Sequence, residues 1–275
     1  MESSLVRPPA VAGKFYPAQP EILKRDLDKY LNASDPPSLK IERALGCVAP
    51  HAGYMYSGHV AGAVYQKLPP RFSYIILCPN HFGRGAPLAM MSSGAWLTPL
   101  GEVRVDQTLA AAMRDSCHLI LDDPVAHAQE HSLEVQLPFL QYQVKDFRFV
   151  PISVGVGNYA ALEILGHCVA HVVKTAKKPV MIIASSDMNH YEPDGITRIK
   201  DRMAIDRILA LDPRGLHDVV RKEKISMCGY GPTIAMLTAV IELGGRNSEL
   251  VKYATSADVS GDRSAVVGYA GIIVS

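Results

Sequence analysis

Three short apolar runs, each closed by a polar residue set that contains a histidine, constrain this 275-residue chain more than any other feature. Tyr74–Cys78 is apolar and carries β-branched residues, so it reads as a strand buried on both faces. Pro79 cannot donate to a sheet ladder, so the strand should stop there. Asn80 and His81 follow, and then Gly83 and Gly85 allow a sharp turn. Ala44–Ala49 is closed by Pro50 and leads into His51, while Val180–Ala184 opens onto Ser185, Ser186, Asp187 and His190. If these strands are parallel neighbours, His51, His81, Asp187 and His190 converge on one sheet edge, the edge where open α/β sheets bind ligands.

The rest of the chain alternates strands and helices. Helical spacing or capping signals predict helices over Glu21–Asn32, Ser57–Leu68, Asp106–Met113, Glu130–Gln141 (bent at Pro138), Asn158–Thr175, Gly195–Leu211, Pro213–Lys222 and Pro232–Leu243. Beyond His81 come a short run at Pro87–Met91 and an extended segment at Gly94–Val105, and strands are expected at Phe147–Val154, Glu249–Ser256 and Ser264–Val274. Arg7–Pro17 is too proline-rich for a regular element and reads as an extended arm; Asn32–Pro37 reads as loop. No repeat, linker or compositional break appears. The pattern predicts one α/β domain over residues 1–275, a central mostly parallel or mixed sheet flanked by helices.

Charge excludes several partners. With 28 basic against 27 acidic residues, the chain has no bulk electrostatic preference for nucleic acid or an anionic membrane. No apolar run approaches the ~18 residues of a membrane span. The stretch Met1–Pro9 lacks the basic and apolar regions of a signal peptide, and an odd set of five cysteines without CxxC spacing argues for a reducing compartment. The expected location is the cytoplasm.

Neutral imidazole is the commonest nitrogen ligand, and one from each of two strand ends can converge on one ion. Cys228, in the glycine-rich segment Met227–Pro232 just before a helix, offers a third ligand, and a helix N-terminus favours thiolate. Two histidines and a thiolate suit iron, zinc or copper. The alternative is that each histidine is a hydrogen-bonded loop residue. Glu130 and His131 put an acid beside an imidazole, or form a solvated helix start. Asp187 and His190 read as an acid–base pair or as partners that orient a ligand. Cys47 and Cys78 read as core thiols, and His59, His118, His167, His171 and His217 stand outside the site. Gly155-Val-Gly157-Asn-Tyr-Ala160 matches a dinucleotide fingerprint, but Lys177–Pro179 stand where an acidic residue is needed, and Asn158 serves as a helix N-cap.

The chain resembles the Memo family, whose prokaryotic members are called AmmeMemoRadiSam system protein B. The matching stretches are Arg7–Pro17, Pro50–Tyr54 with Ser57 and Gly58, Pro79–His81, Glu130–Glu134 with Leu137 and Pro138, Ser185–Asp187 with His190 and Tyr191, Cys228 with Gly229, and Val267–Gly271. The resemblance implies a fold similar to class III extradiol dioxygenases, in which two histidines and a glutamate hold iron(II). It places His51, His81 and Cys228 at the metal-ligand positions, and His131 and His190 at the acid–base positions with Asp187 beside them. Cys228 replaces a carboxylate, which changes the softness, charge and redox behaviour of the site. Iron(II) is the expected metal, with copper and then zinc as alternatives. The expected function is a dioxygenase-like, redox or oxygen-handling metal site of unknown substrate; the alternative is a non-catalytic protein that holds a peptide or small molecule in the same cleft. Prokaryotic members are named for a gene association with an AMMECR-type protein and a radical-SAM protein, which implies a functional link to both; eukaryotic relatives are associated with cell-motility signalling.

Overall fold

A computed structural model describes residues 5–32 and 39–275. Residues 33–37 of the expected loop and the first four residues of the N-terminal stretch lie outside that set. Among the described residues twelve strands form one sheet: β1 (Val6–Arg7), β2 (Gly46–Ala49), β3 (Ser73–Pro79), β4 (Leu88–Met90), β5 (Ala95–Thr98), β6 (Gly101–Val105), β7 (Leu121–Asp122), β8 (Arg148–Val154), β9 (Val180–Ser185), β10 (His190–Glu192), β11 (Ser248–Thr255) and β12 (Val266–Val274). The principal order is β1-β5-β6-β8-β3-β9-β2-β12-β10. From β6 to β2 every neighbour is parallel, and the β5–β6 hairpin and β12 with its partners β2, β10 and β11 are antiparallel.

The helices are α1 (Pro20–Leu31), α2 (Tyr54–Lys67), α3 (Gln107–Ser116), α4 (Leu137–Gln143), α5 (Tyr159–Thr175), α6 (Asp194–Leu209), α7 (Pro213–Lys222), α8 (Tyr230–Glu242) and the short α9 (Ala257–Ser260). Alternate residues of each central strand point to opposite faces. On β3, Ile75 and Leu77 join the core beneath α3, α5 and α8, whereas Tyr74, Ile76 and Cys78 join the core beneath α1, α2 and α4. The central strands therefore read as unbroken apolar runs, because both faces are covered. Pro151, with no N–H to give, sits in β8 where the strand changes partner, from β6 at Arg148–Phe149 to β4 at Ile152–Val154.

Pro79 is the last residue of β3, and Gly83 and Gly85 beyond it both take a positive φ, as a sharp turn away from the strand end requires. Several expectations change. Helix α2 begins at Tyr54, not Ser57; the Ser57 hydroxyl donates to the Ala52 carbonyl inside its first turn. The segment Glu130–Gln141 is not one helix: only a 3₁₀ turn at Glu134–Gln136 and α4 form, with Pro138 in the first turn of α4 rather than at a bend. The Glu130 carboxylate bonds the backbone and ring of His81, which draws that residue out of helical register. The arm is not wholly irregular, since Arg7 pairs with Trp96 in β1–β5. Strand β10 and helix α9 carried no sequence signal. The glycines of the dinucleotide-like motif are engaged within the protein: Gly155 N–H donates to the Pro87 carbonyl, and the Gly157 carbonyl accepts from His217.

Candidate metal centre

Strand β9 lies between β3 and β2, and all three run parallel, so their C-terminal ends deliver His81, Asp187 and His51 to one edge. The rings of His51 and His81 lie 5.2 Å apart, centre to centre; His131 joins them at 4.8 Å from His81 and 5.6 Å from His51. Cys228 arrives on the segment before α8. A Cβ on Gly229 would stand 2.3 Å from the Ser185 carbonyl oxygen, so glycine is what lets this segment lie against the end of β9. There the Cys228 Sγ sits 3.2 Å from His51 Nε2 and accepts the Asp187 backbone N–H at 3.3 Å.

Among the described residues, two side-chain groups could hold a metal ion. His51, His81 and Cys228 offer ligand atoms all within 4.8 Å of one another, and so do His81, Glu130 and His131. In the second group the carboxylate is already engaged. Glu130, 1% exposed, accepts the His81 backbone N–H (2.8 Å) and ring Nδ1–H (2.9 Å), and the Ser132 N–H and hydroxyl. Burial pushes its pKa up, but these bonds outweigh burial and hold it at about 2. With Nδ1 committed to Glu130, the Nε2 of His81 is left bare, the arrangement of a carboxylate that orients a ligating histidine. In the first group, the 3.2 Å between His51 Nε2 and Cys228 Sγ is near the ~3.5 Å spanned by nitrogen and thiolate ligands on one tetrahedral ion. The donor set fits a transition metal.

Burial and the neighbouring imidazoles hold the pKa of His51 well below its ordinary value, so the ring is neutral and able to ligate. Asp187 accepts the His51 and Ala52 backbone N–H groups on Oδ1; burial raises its pKa against those bonds and the His190 charge. The Cys228 thiol departs from expectation. Burial first, then the Asp187 charge, raise its pKa well above the usual thiol value, and the start of α8 does not reverse this. A bound cation would have to draw off the proton. His131 packs against Phe15 with ring centres 4.7 Å apart, and burial depresses its pKa. His190 stands at the rim, its Nδ1 bonded to the Ser226 carbonyl and its backbone N–H to the Ser226 hydroxyl. All six expected site residues line one cleft of about 870 Å³.

The residues that brace the site carried weaker signals. Glu134, fully buried, accepts from Arg7, from the Ala10 and Val11 backbone and from the Tyr16 hydroxyl, so it is no part of a solvated helix start. Arg7 also donates to the carbonyls of His127 and Glu130 and stacks on Trp96 at 4.1 Å. The arm thereby fixes the loop that carries Glu130 and His131. Gln136 and Ser185 pack behind His51, and only their proximity to marked residues could have pointed to them.

Fold and site together define an α/β protein with a histidine–cysteine cluster that could hold a metal ion at the C-terminal edge of a mixed sheet. The chain belongs to the Memo-like protein family, whose model matches residues 7–273. It is similar to a MEMO1 family protein of Methanopyrus kandleri, 45% identical over 97% of this chain and 98% of that one. A MEMO1 family protein of Pyrobaculum arsenaticum is 46% identical over 98% of each chain. Among solved structures, an uncharacterized protein of Escherichia coli K12 shares the fold, with a TM-score of 0.58 at 14% identity, covering 84% of this chain and all of that one. Among the described residues no helix is long and apolar enough to cross a membrane.

Proposed function

We propose that the protein is a dioxygenase-like, oxygen-handling metalloenzyme in which His51, His81 and Cys228 hold a metal ion, redox-active iron(II) before copper, with redox-inert zinc third. The observation that carries this reading is the gathering of those three donors within 4.8 Å at the sheet edge, with His81 held by a buried carboxylate. The bound ion would supply redox chemistry or polarisation of a substrate oxygen. His131 and His190 face the same cleft and are the groups to move protons there; the Ser226 carbonyl fixes His190 with a bare Nε2 toward its task as base. Asp187 holds the His51 backbone in place and lies 4.0 Å from the His51 ring. Phe15, Tyr56 and Tyr269 give the cleft aromatic walls.

The test is elemental analysis of protein purified without oxygen, with oxygen uptake measured on aromatic and heterocyclic compounds. One equivalent of redox metal and compound-dependent oxygen uptake are expected. Tight ligand binding that survives chelation, with no oxygen uptake, would replace this reading with that of a non-catalytic binding protein; the cleft is large enough for either.

A further inference from the structure

The Ser185 hydroxyl meets three partners. It lies 2.6 Å from the Ser132 carbonyl, 2.8 Å from Gln136 Nε2 and 2.9 Å from His51 Nδ1. A hydroxyl has one hydrogen and two lone pairs, and a carbonyl can only accept, so the hydrogen goes to Ser132. The orientation of the Gln136 amide is fixed independently. Its nitrogen lies 3.0 Å from the Pro50 carbonyl and its oxygen 2.8 Å from the Tyr65 hydroxyl; a flipped amide would set oxygen against oxygen at Pro50. Gln136 therefore donates to Ser185 and takes one lone pair. The other lone pair faces His51 Nδ1, and only an N–H can satisfy it.

We infer that Ser185, oriented by Gln136 and the Ser132 carbonyl, sets the tautomer of His51, with the proton on Nδ1 and the lone pair on Nε2. These are positioning residues: they act on the nitrogen that lies 3.2 Å from Cys228 Sγ and 4.0 Å from Asp187 Oδ2. Without them the thiol sulfur and the carboxylate would favour an Nε2–H, the tautomer that cannot ligate through that atom. Ser132, Gln136 and Ser185 are fully buried, so water does not stand in for a missing partner. The functional weight of this relay rests on the proposed metal centre, but the tautomer itself does not.

The experiment is long-range nitrogen–proton correlation on the imidazoles of the full-length, chelator-treated protein, alongside cobalt(II) titration. Wild type should show His51 with Nδ1 protonated and Nε2 bare. Ser185→Ala should shift it to the Nε2–H form or an exchanging mixture and weaken cobalt(II) binding on the order of 10–100-fold, the usual effect of losing a partner of a ligating histidine. Ser185→Thr, which keeps the hydroxyl, should restore both. An Nε2–H tautomer in wild type, or an unchanged Nδ1–H in Ser185→Ala, overturns the inference. If the alanine variant does not fold, the wild-type spectrum still decides. A wild type with the expected tautomer that binds no cobalt(II) would sink the metal reading and leave this inference standing.

Discussion

His81 and Glu130 are joined twice: one carboxylate receives both the backbone N–H and the ring Nδ1–H of the same histidine. The pair therefore fixes the peptide plane and the ring of His81 together, which a single bond could not do. Because the folded pKa of Glu130 is depressed from 4.5 to about 2, its stabilising contribution is complete above about pH 4.5 and disappears as pH falls through about 2. The size is about 3 kcal/mol. Glu130→Gln should flatten the acid limb of the unfolding free energy measured by denaturant titration between pH 5 and 2 (about that range). An acid limb identical to that of wild type would show that the carboxylate charge does not matter there.

Arg7 should be the most sensitive residue outside the cleft. It donates to Glu134 at 2.5 Å and to three carbonyls, from a buried position. Arg7→Ala strands a buried carboxylate and should cost about 3–5 kcal/mol by denaturant unfolding. Lysine cannot reproduce the fork of donors, so Arg7→Lys should recover less than half of that loss. Full recovery would mean that charge alone holds the arm.

Asp201 titrates in the opposite sense. It is fully buried, bonded to the Tyr253 hydroxyl and the Asn189 backbone, and burial raises its pKa from 3.8 to about 7. A raised folded pKa gives stability that is complete below about pH 3.8 and lost as pH rises through about 7, amounting to about 4 kcal/mol. Asp201→Asn mimics the protonated acid and should abolish this decline, as read by thermal melts between pH 5 and 8 (approximate limits). A melting profile that still falls over this range would place the titrating group elsewhere.

Ligands and proton carriers should separate by metal content. Cys228→Ser should purify with little soft metal, whereas His190→Ala should keep its metal and lose proton-dependent chemistry. A metal-free His190→Ala protein would make His190 a ligand and remove the case for Cys228.

The three strand ends were legible because strands covered on both faces are apolar throughout, and the first polar residues after them stand out, as at His51, His81 and Asp187. The roles of Ser185, marked only as part of a polar set, and of Gln136 were not legible, since nothing local reveals partners that lie 49 or more positions away. Glu130 and Glu134 were misplaced in a helix because their spacing fits one; long-range bonds to His81 and Arg7 outweighed local propensity. Strand β10 is three residues long and begins at His190, too short to carry a period of its own.

The placement of β9 between the two histidine-bearing strands has a consequence for the order of events in the cell. Donors at positions 51, 81 and 228, braced from 130, 136 and 185, come from segments spread across most of the chain and meet only when β2, β9 and β3 are side by side. An ion cannot nucleate such a fold as zinc does in a finger domain, where the ligands are near neighbours. Any loading would follow folding, and an ion bound there would report that the whole sheet has been assembled.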